Sequence, residues 1–99
     1  MKKVYFTFRI SDKKNELLLD RLGNQEKLGQ AIRKKILETD LKSIDFTEYE
    51  PGNYKKRVLV SQEEKQRLEE YFNNNRKSVG KACSIIFNRL LKEVVANSK

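Results

Sequence analysis

The sequence predicts a mainly helical fold carrying two short strands, in the order β-α-α-connector-β-α-α. Three observations predict it: an internal repeat, a hydrophobic alternation of period two opening each copy, and helical stripes after each alternation. Lys3–Leu41 and Lys56–Glu93 are the two copies. Setting Ile10-Ser11-Asp12 over Val60-Ser61-Gln62 gives an offset of 50, which places Leu18 on Leu68 and Leu22 on Phe72. One extra residue in the following turn raises the offset to 51. Leu28-Gly29-Gln30-Ala31-Ile32 then falls on Val79-Gly80-Lys81-Ala82-Cys83, and Ile36 on Phe87. A unit this small does not bury its apolar face alone, so each copy is expected to complete the other's core, a dimer built into one chain. The expected organisation is copy one over 1–41, a connector over 42–53 and copy two over 54–99, the copies forming one domain.

The first strand is the cleanest element. Val4, Phe6, Phe8 and Ile10 alternate with Tyr5, Thr7 and Arg9, so an extended chain sends the first set to a core and the second outward. Ser11 then stands as a helix N-cap with Asp12 in the first turn, Leu18 and Leu22 form a stripe, and Gly23-Asn24 ends the helix. The second helix starts near Lys27 and buries Leu28, Ile32, Ile36, Leu37 and Leu41. A connector, Lys42–Asn53, holds Asp45, Glu48, Glu50 and the sole proline, Pro51, before Gly52, and returns the chain to a second strand. That strand, Lys56-Arg57-Val58-Leu59-Val60, alternates less cleanly, and a slip of one residue reverses its facing. Ser61 and Glu64 have capping-box spacing, Leu68 and Phe72 make the next stripe, and Asn73-Asn74-Asn75 supplies a left-handed turn. The last helix starts near Ser78 and buries Val79, Cys83, Ile86, Phe87, Leu90, Leu91 and Val94. Gly29 and Gly80 lie just inside the second helix of each copy, at about 1 kcal/mol relative to Ala. A close approach to a phosphate or to a facing helix is the expected reason.

Charge separates the copies from the connector. Residues 1–41 carry 10 basic and 6 acidic side chains, 54–99 carry 11 and 5, and 42–53 carry 1 and 3, for a net charge of +8. Basic units beside an acidic connector point to a polyanionic partner, because neutralising phosphates releases condensed counterions. The absence of His excludes histidine bases, imidazole metal sites and Ser-His or Cys-His pairs, and a lone cysteine excludes an internal disulfide. Cys83, aligned with Ile32, is a small core residue. No enzyme, cofactor or metal is expected. Met1-Lys2-Lys3 is followed by a stretch too short and polar for a secretory segment, and no run reaches membrane-spanning length, so a cytoplasmic protein without a membrane partner is expected.

Two strand-helix-helix units with polar residues facing out of the strands resemble the ribbon-helix-helix family of DNA-binding proteins, to which the Arc and methionine repressors belong. The resemblance covers nearly the whole chain except the connector. It is most specific in Asn75-Arg76-Lys77-Ser78-Val79-Gly80-Lys81, similar to the N-G-R-S-V-N-S stretch that opens the second helix of Arc. Copy one departs from it, with Gln25-Glu26-Lys27-Leu28-Gly29 and no Ser or Thr. The fused arrangement resembles the conjugation protein TraY. The resemblance implies that the two strands pair into an antiparallel ribbon that enters the DNA major groove, over four interlocked helices. Base readers are then Tyr5, Thr7 and Arg9 with Lys55, Arg57 and Leu59. Arg9 and Arg57 suit guanine O6 and N7, Lys55 does so more loosely, and Thr7 offers a hydroxyl or meets a thymine methyl. Phosphate contacts fall to Lys27 with the amides of Leu28 and Gly29, and to Ser78 with the amides of Val79 and Gly80, aided by Arg76, Lys77 and Lys81.

The expected function is therefore sequence-specific binding of double-stranded DNA by a pseudo-dimeric monomer. Unlike edges imply a non-palindromic element, with further copies of the chain on adjacent sites adding specificity. A transcriptional repressor and a relaxosome accessory factor of a plasmid or mobile element, partnering a relaxase, both fit. Other classes are an antitoxin, for which Val94–Lys99 leave little chain to wrap a toxin, and a non-specific basic nucleic-acid-binding protein.

Overall fold

The computed structural model describes residues 3–97, and Met1, Lys2, Ser98 and Lys99, at the ends of the two copies, lie outside them. The chain is mainly helical with one two-stranded antiparallel sheet. In chain order the elements are β1 (Lys3–Ile10), α1 (Asp12–Leu22), α2 (Gln25–Glu38), two short 3-10 turns, β2 (Tyr54–Ser61), α3 (Gln62–Tyr71) and α4 (Arg76–Asn97).

Pairing between β1 and β2 fixes everything that follows. The register sets Tyr5 opposite Leu59, Thr7 opposite Arg57 and Arg9 opposite Lys55. Because side chains alternate, Phe6, Phe8 and Ile10 fall on one face with Val58 and Val60, all at most 3% exposed. The second strand therefore takes the facing that its weaker alternation left in question. One inward position is not apolar: Lys56, opposite Phe8, is 6% exposed, and its ammonium reaches Gln25 Oε1 at 3.2 Å. Desolvation holds the Lys56 pKa below its ordinary value.

The helices close over this face. Leu18 and Leu68, Leu28 and Val79, Ile32 and Cys83, and Ile36 and Phe87 all join the core, so these four pairs matched by the repeat are buried on both sides, while the matched Leu22 and Phe72 are half-buried against it. Burial pushes the Cys83 thiol up to about 12, which leaves it inert at neutral pH. Leu37, expected in the buried stripe, is 42% exposed; it follows Ile36 directly, and the step of about 100° per helical residue turns it away from the core. Leu41 is buried, but from the first 3-10 turn, since α2 stops at Glu38.

The helix ends show the local chemistry. Ser11 occupies the N-cap of α1 with extended backbone but makes no side-chain cap bond, whereas Ser61 forms a full capping box with Glu64. Gly23 terminates α1 at φ 102°, a conformation that L side chains rarely adopt, and its N–H donates to Leu19. After α3 the same turn is made by Asn73 and Asn74, at φ 55° and 59°.

The connector is an ordered strap. Arg89 of α4 donates to Ser43 Oγ at 2.9 Å, to the Ser43 carbonyl at 2.8 Å and to Glu48 Oε2 at 2.8 Å. Phe46 meets Phe72 edge to face at 5.8 Å, Lys14 pairs with Glu50, and Gly52 lies against the end of β1. A Cβ on Gly52 would stand 2.1 Å from the Ile10 carbonyl carbon, so no larger residue fits without moving backbone. By contrast, a Cβ on Gly29 would meet nothing within 4 Å. Urea denaturation should therefore separate the two glycines: Gly52→Ala is expected to lose about 3 kcal/mol, and Gly29→Ala to gain about 1 kcal/mol.

Candidate nucleic-acid interface

The outward face of the ribbon is built from three cross-strand rungs. Tyr5 with Leu59, Thr7 with Arg57 and Arg9 with Lys55 are all exposed and share the face opposite the core. Period-two alternation alone brings them together, because each is flanked by an inward residue. Sequence reasoning named all six, and the register places them as direct neighbours. It did not anticipate their mutual contacts. The Arg57 guanidinium lies over the Tyr5 ring, 4.2 Å from its centroid, a diagonal cation-π contact between the first and second rungs.

The tips of α2 and α4 flank the ribbon. An open groove between β1 and α4 is lined by Tyr5, Thr7, Lys65, Arg76, Val79 and Gly80. A second groove runs between β2 and α2, lined by Arg57, Leu59, Gln25, Gly29, Gln30 and Arg33. Each helix begins earlier than its sequence suggests, at Gln25 and Arg76, because Asn24 and Asn75 do the capping. Asn24 Oδ1 accepts from the Lys27 amide at 2.8 Å, and Asn75 Oδ1 from the Ser78 amide at 3.2 Å. The two asparagines differ by 51 in number, the offset of the repeat, and asparagine ranks with Ser and Asp as a cap.

This start relocates the amides expected to meet phosphate. The Leu28 and Val79 amides donate to the carbonyls of Asn24 and Asn75 at 3.0 and 3.1 Å, and both side chains are in the core. Gly29 and Gly80 are a further residue into their helices, where each amide serves the helical ladder. The amides at the tips are instead those of Gln25 and Glu26 in copy one, and of Arg76 and Lys77 in copy two. Around the α4 tip Arg76 and Lys77 are exposed and Ser78 is half-buried, while Lys81 lies 5.4 Å from the centroid of the connector's Tyr49. Around the α2 tip Lys27 is exposed beside Glu26, so this end carries less positive charge. Neither glycine is pressed by a facing helix: a Cβ on Gly80 would meet only the Thr7 carbonyl oxygen, at an ordinary 3.8 Å.

One charged pair behind the second groove was not foreseen. Arg33 of α2 binds Glu64 of α3 through Nε at 3.1 and 3.0 Å and through Nη2 at 2.6 Å. Glu64 also accepts the Ser61 amide at 3.0 Å, closing the capping box. The Arg33 hydrogen bond, with the Ser61 contacts, lowers the Glu64 pKa to about 2. The capping-box spacing marked Glu64 in the sequence; its arginine partner, 31 residues away, left no local signal.

The chain matches no family model, no curated protein and no solved structure among those compared with it. Among the described residues, no helix is long and apolar enough to cross a membrane.

A carboxyl whose folded pKa is depressed contributes stability above its unfolded value and loses it as pH falls toward the folded one. For Glu64 that window runs from the ordinary 4.5 down to about 2. Glu64→Ala should cost about 1 kcal/mol at neutral pH. In thermal melts at successive pH values, the gap from the parent protein should close through that window.

Proposed function

We propose that the chain is an intramolecular pseudo-dimer of two ribbon-helix-helix units, 1–41 and 54–99 joined by the connector 42–53, that binds double-stranded DNA with its ribbon in the major groove. The observation that carries the reading is one sheet face with Tyr5, Thr7, Arg9, Lys55, Arg57 and Leu59 exposed over an inner face that is apolar but for Lys56. A two-stranded ribbon fits the major groove, and only its outward side chains reach base edges. The strand register supports the pseudo-dimer: the central outward rung pairs Thr7 with Arg57, 50 residues apart, the offset of the repeat itself. A rotation relating the halves about this rung carries Tyr5·Leu59 onto Lys55·Arg9.

Basic charge around the α4 tip, with free first-turn amides, suits the phosphates beside the groove. Arg76 and Lys77 supply that charge and the Ser78 hydroxyl a hydrogen-bond donor, while Lys27 is the thinner counterpart in copy one. This contact gives affinity without sequence information, whereas the ribbon gives preference. A single ribbon touches few base pairs, so further copies on adjacent elements extend the site. The resemblance carries two roles, repression of an operon and assistance to a relaxase at a plasmid transfer origin. A footprint on the gene's own upstream region, against one on a neighbouring transfer origin, separates them.

Titrations on cognate and scrambled duplexes across a salt series test the division of labour. Lys77→Ala is expected to weaken binding to both duplexes and to flatten the salt dependence by about one counterion. Arg57→Ala is expected to cost roughly 1–3 kcal/mol on the cognate duplex alone. Equal losses on both duplexes for Arg57→Ala would contradict base reading.

A further inference from the structure

We infer that the ribbon face is polarised along its length and reads two chemically unlike half-sites, thymine-rich under the Tyr5/Leu59 rung and guanine-containing under the Arg9/Lys55 rung. The inference rests on the DNA reading above and deepens it by assigning a base class to each end. Rungs on one face are two residues apart, about 6.7 Å, so three rungs span about 13 Å, or roughly four base-pair steps at 3.4 Å.

The first rung sets an aromatic ring against a leucine, and both stay open, Tyr5 at 44% and Leu59 at 40%. No apolar neighbour on this face hides them, since the next rung is Thr7 with Arg57. In the major groove the apolar feature is the thymine 5-methyl, so this end favours A·T pairs whose methyls it covers.

The third rung is the opposite case. Arg9 and Lys55 stand directly across from each other, and neither has a carboxylate partner among the described residues. Like charges directly opposite repel, and a ligand offering acceptors relieves the repulsion. Guanine does this through O6 and N7, the strongest acceptor pair in the groove.

Arg57 sets the boundary between the two ends. Its guanidinium is drawn over the Tyr5 ring, 4.2 Å from the centroid, away from the cationic rung. The positions related to Arg57 and Tyr5 by the repeat are Thr7 and Lys55, which form no such stack, so the two ends of the ribbon are not equivalent.

The test begins with selection of a duplex from a random pool by the full chain, followed by base-analogue substitution in the selected site. The expected consensus is non-palindromic, with thymines at one end and guanine at the other. Replacing those thymines by uracil should weaken binding about three- to fourfold per methyl, and Leu59→Ala should remove that sensitivity. Replacing the guanine by 7-deazaguanine should weaken binding about tenfold, and Arg9→Ala with Lys55→Ala should remove that sensitivity while leaving the uracil effect. A palindromic consensus, or uracil and deazaguanine effects shared equally by both ends, would overturn the polarity and leave DNA binding standing. Recovery of no duplex would overturn the DNA reading itself. The wild-type measurements with modified duplexes need no variant to fold.

Discussion

The backbone ladder between β1 and β2 is the constraint on which the rest of the molecule depends. The strands come from the start and the middle of the sequence and make a sheet of two, which is marginal unless one face is covered. Here α1 to α4 cover it, and the same pairing that buries Phe6, Phe8, Ile10, Val58 and Val60 forces Tyr5, Thr7, Arg9, Lys55, Arg57 and Leu59 outward. A slip by one residue would expose the first set and bury the second, so the apolar core selects the register and thereby the composition of the outer face. Core and candidate interface are two sides of one hydrogen-bonded ladder.

Positions matched by the sequence repeat make different contacts. Lys56 takes the position matched by Phe6, and its buried stem leads an ammonium to Gln25 at the first turn of α2. Arg33 pairs with Glu64, but the positions matched to them in the other half are Ser84, fully buried, and Lys14, which pairs with the connector's Glu50. Arg89 is spent on holding the connector, a task its matched position, Glu38, does not have. On the proposed pseudo-dimer reading, these differences make the two halves unequal.

Elements governed by local rules were legible in the sequence. The alternation of β1, the apolar pairs of the repeat, the Ser61–Glu64 box and the left-handed Asn73-Asn74 turn each depend on neighbours in the chain, and the structure contains them. The sequence misplaces the helix starts, because Asn24 and Asn75 read as turn residues and serve as caps. That misplacement put the candidate phosphate amides two to four residues too far into each helix. Lys56 was obscured because a lysine in a strand pattern signals exposure, and only its neighbours in space show otherwise. Arg33, Arg89 and the Arg57–Tyr5 stack join residues far apart in sequence, and no spacing rule reports them.

The most direct test of the central claim is amide chemical-shift mapping of the full chain titrated with a short duplex. The account predicts that the largest changes fall on Tyr5, Thr7, Arg9, Lys55, Arg57 and Leu59, with smaller ones at the tips of α2 and α4 and none around the Lys35–Glu93 pair joining the far ends of those helices. Changes concentrated on α1, α3 or those far ends, with the ribbon unmoved, would contradict it.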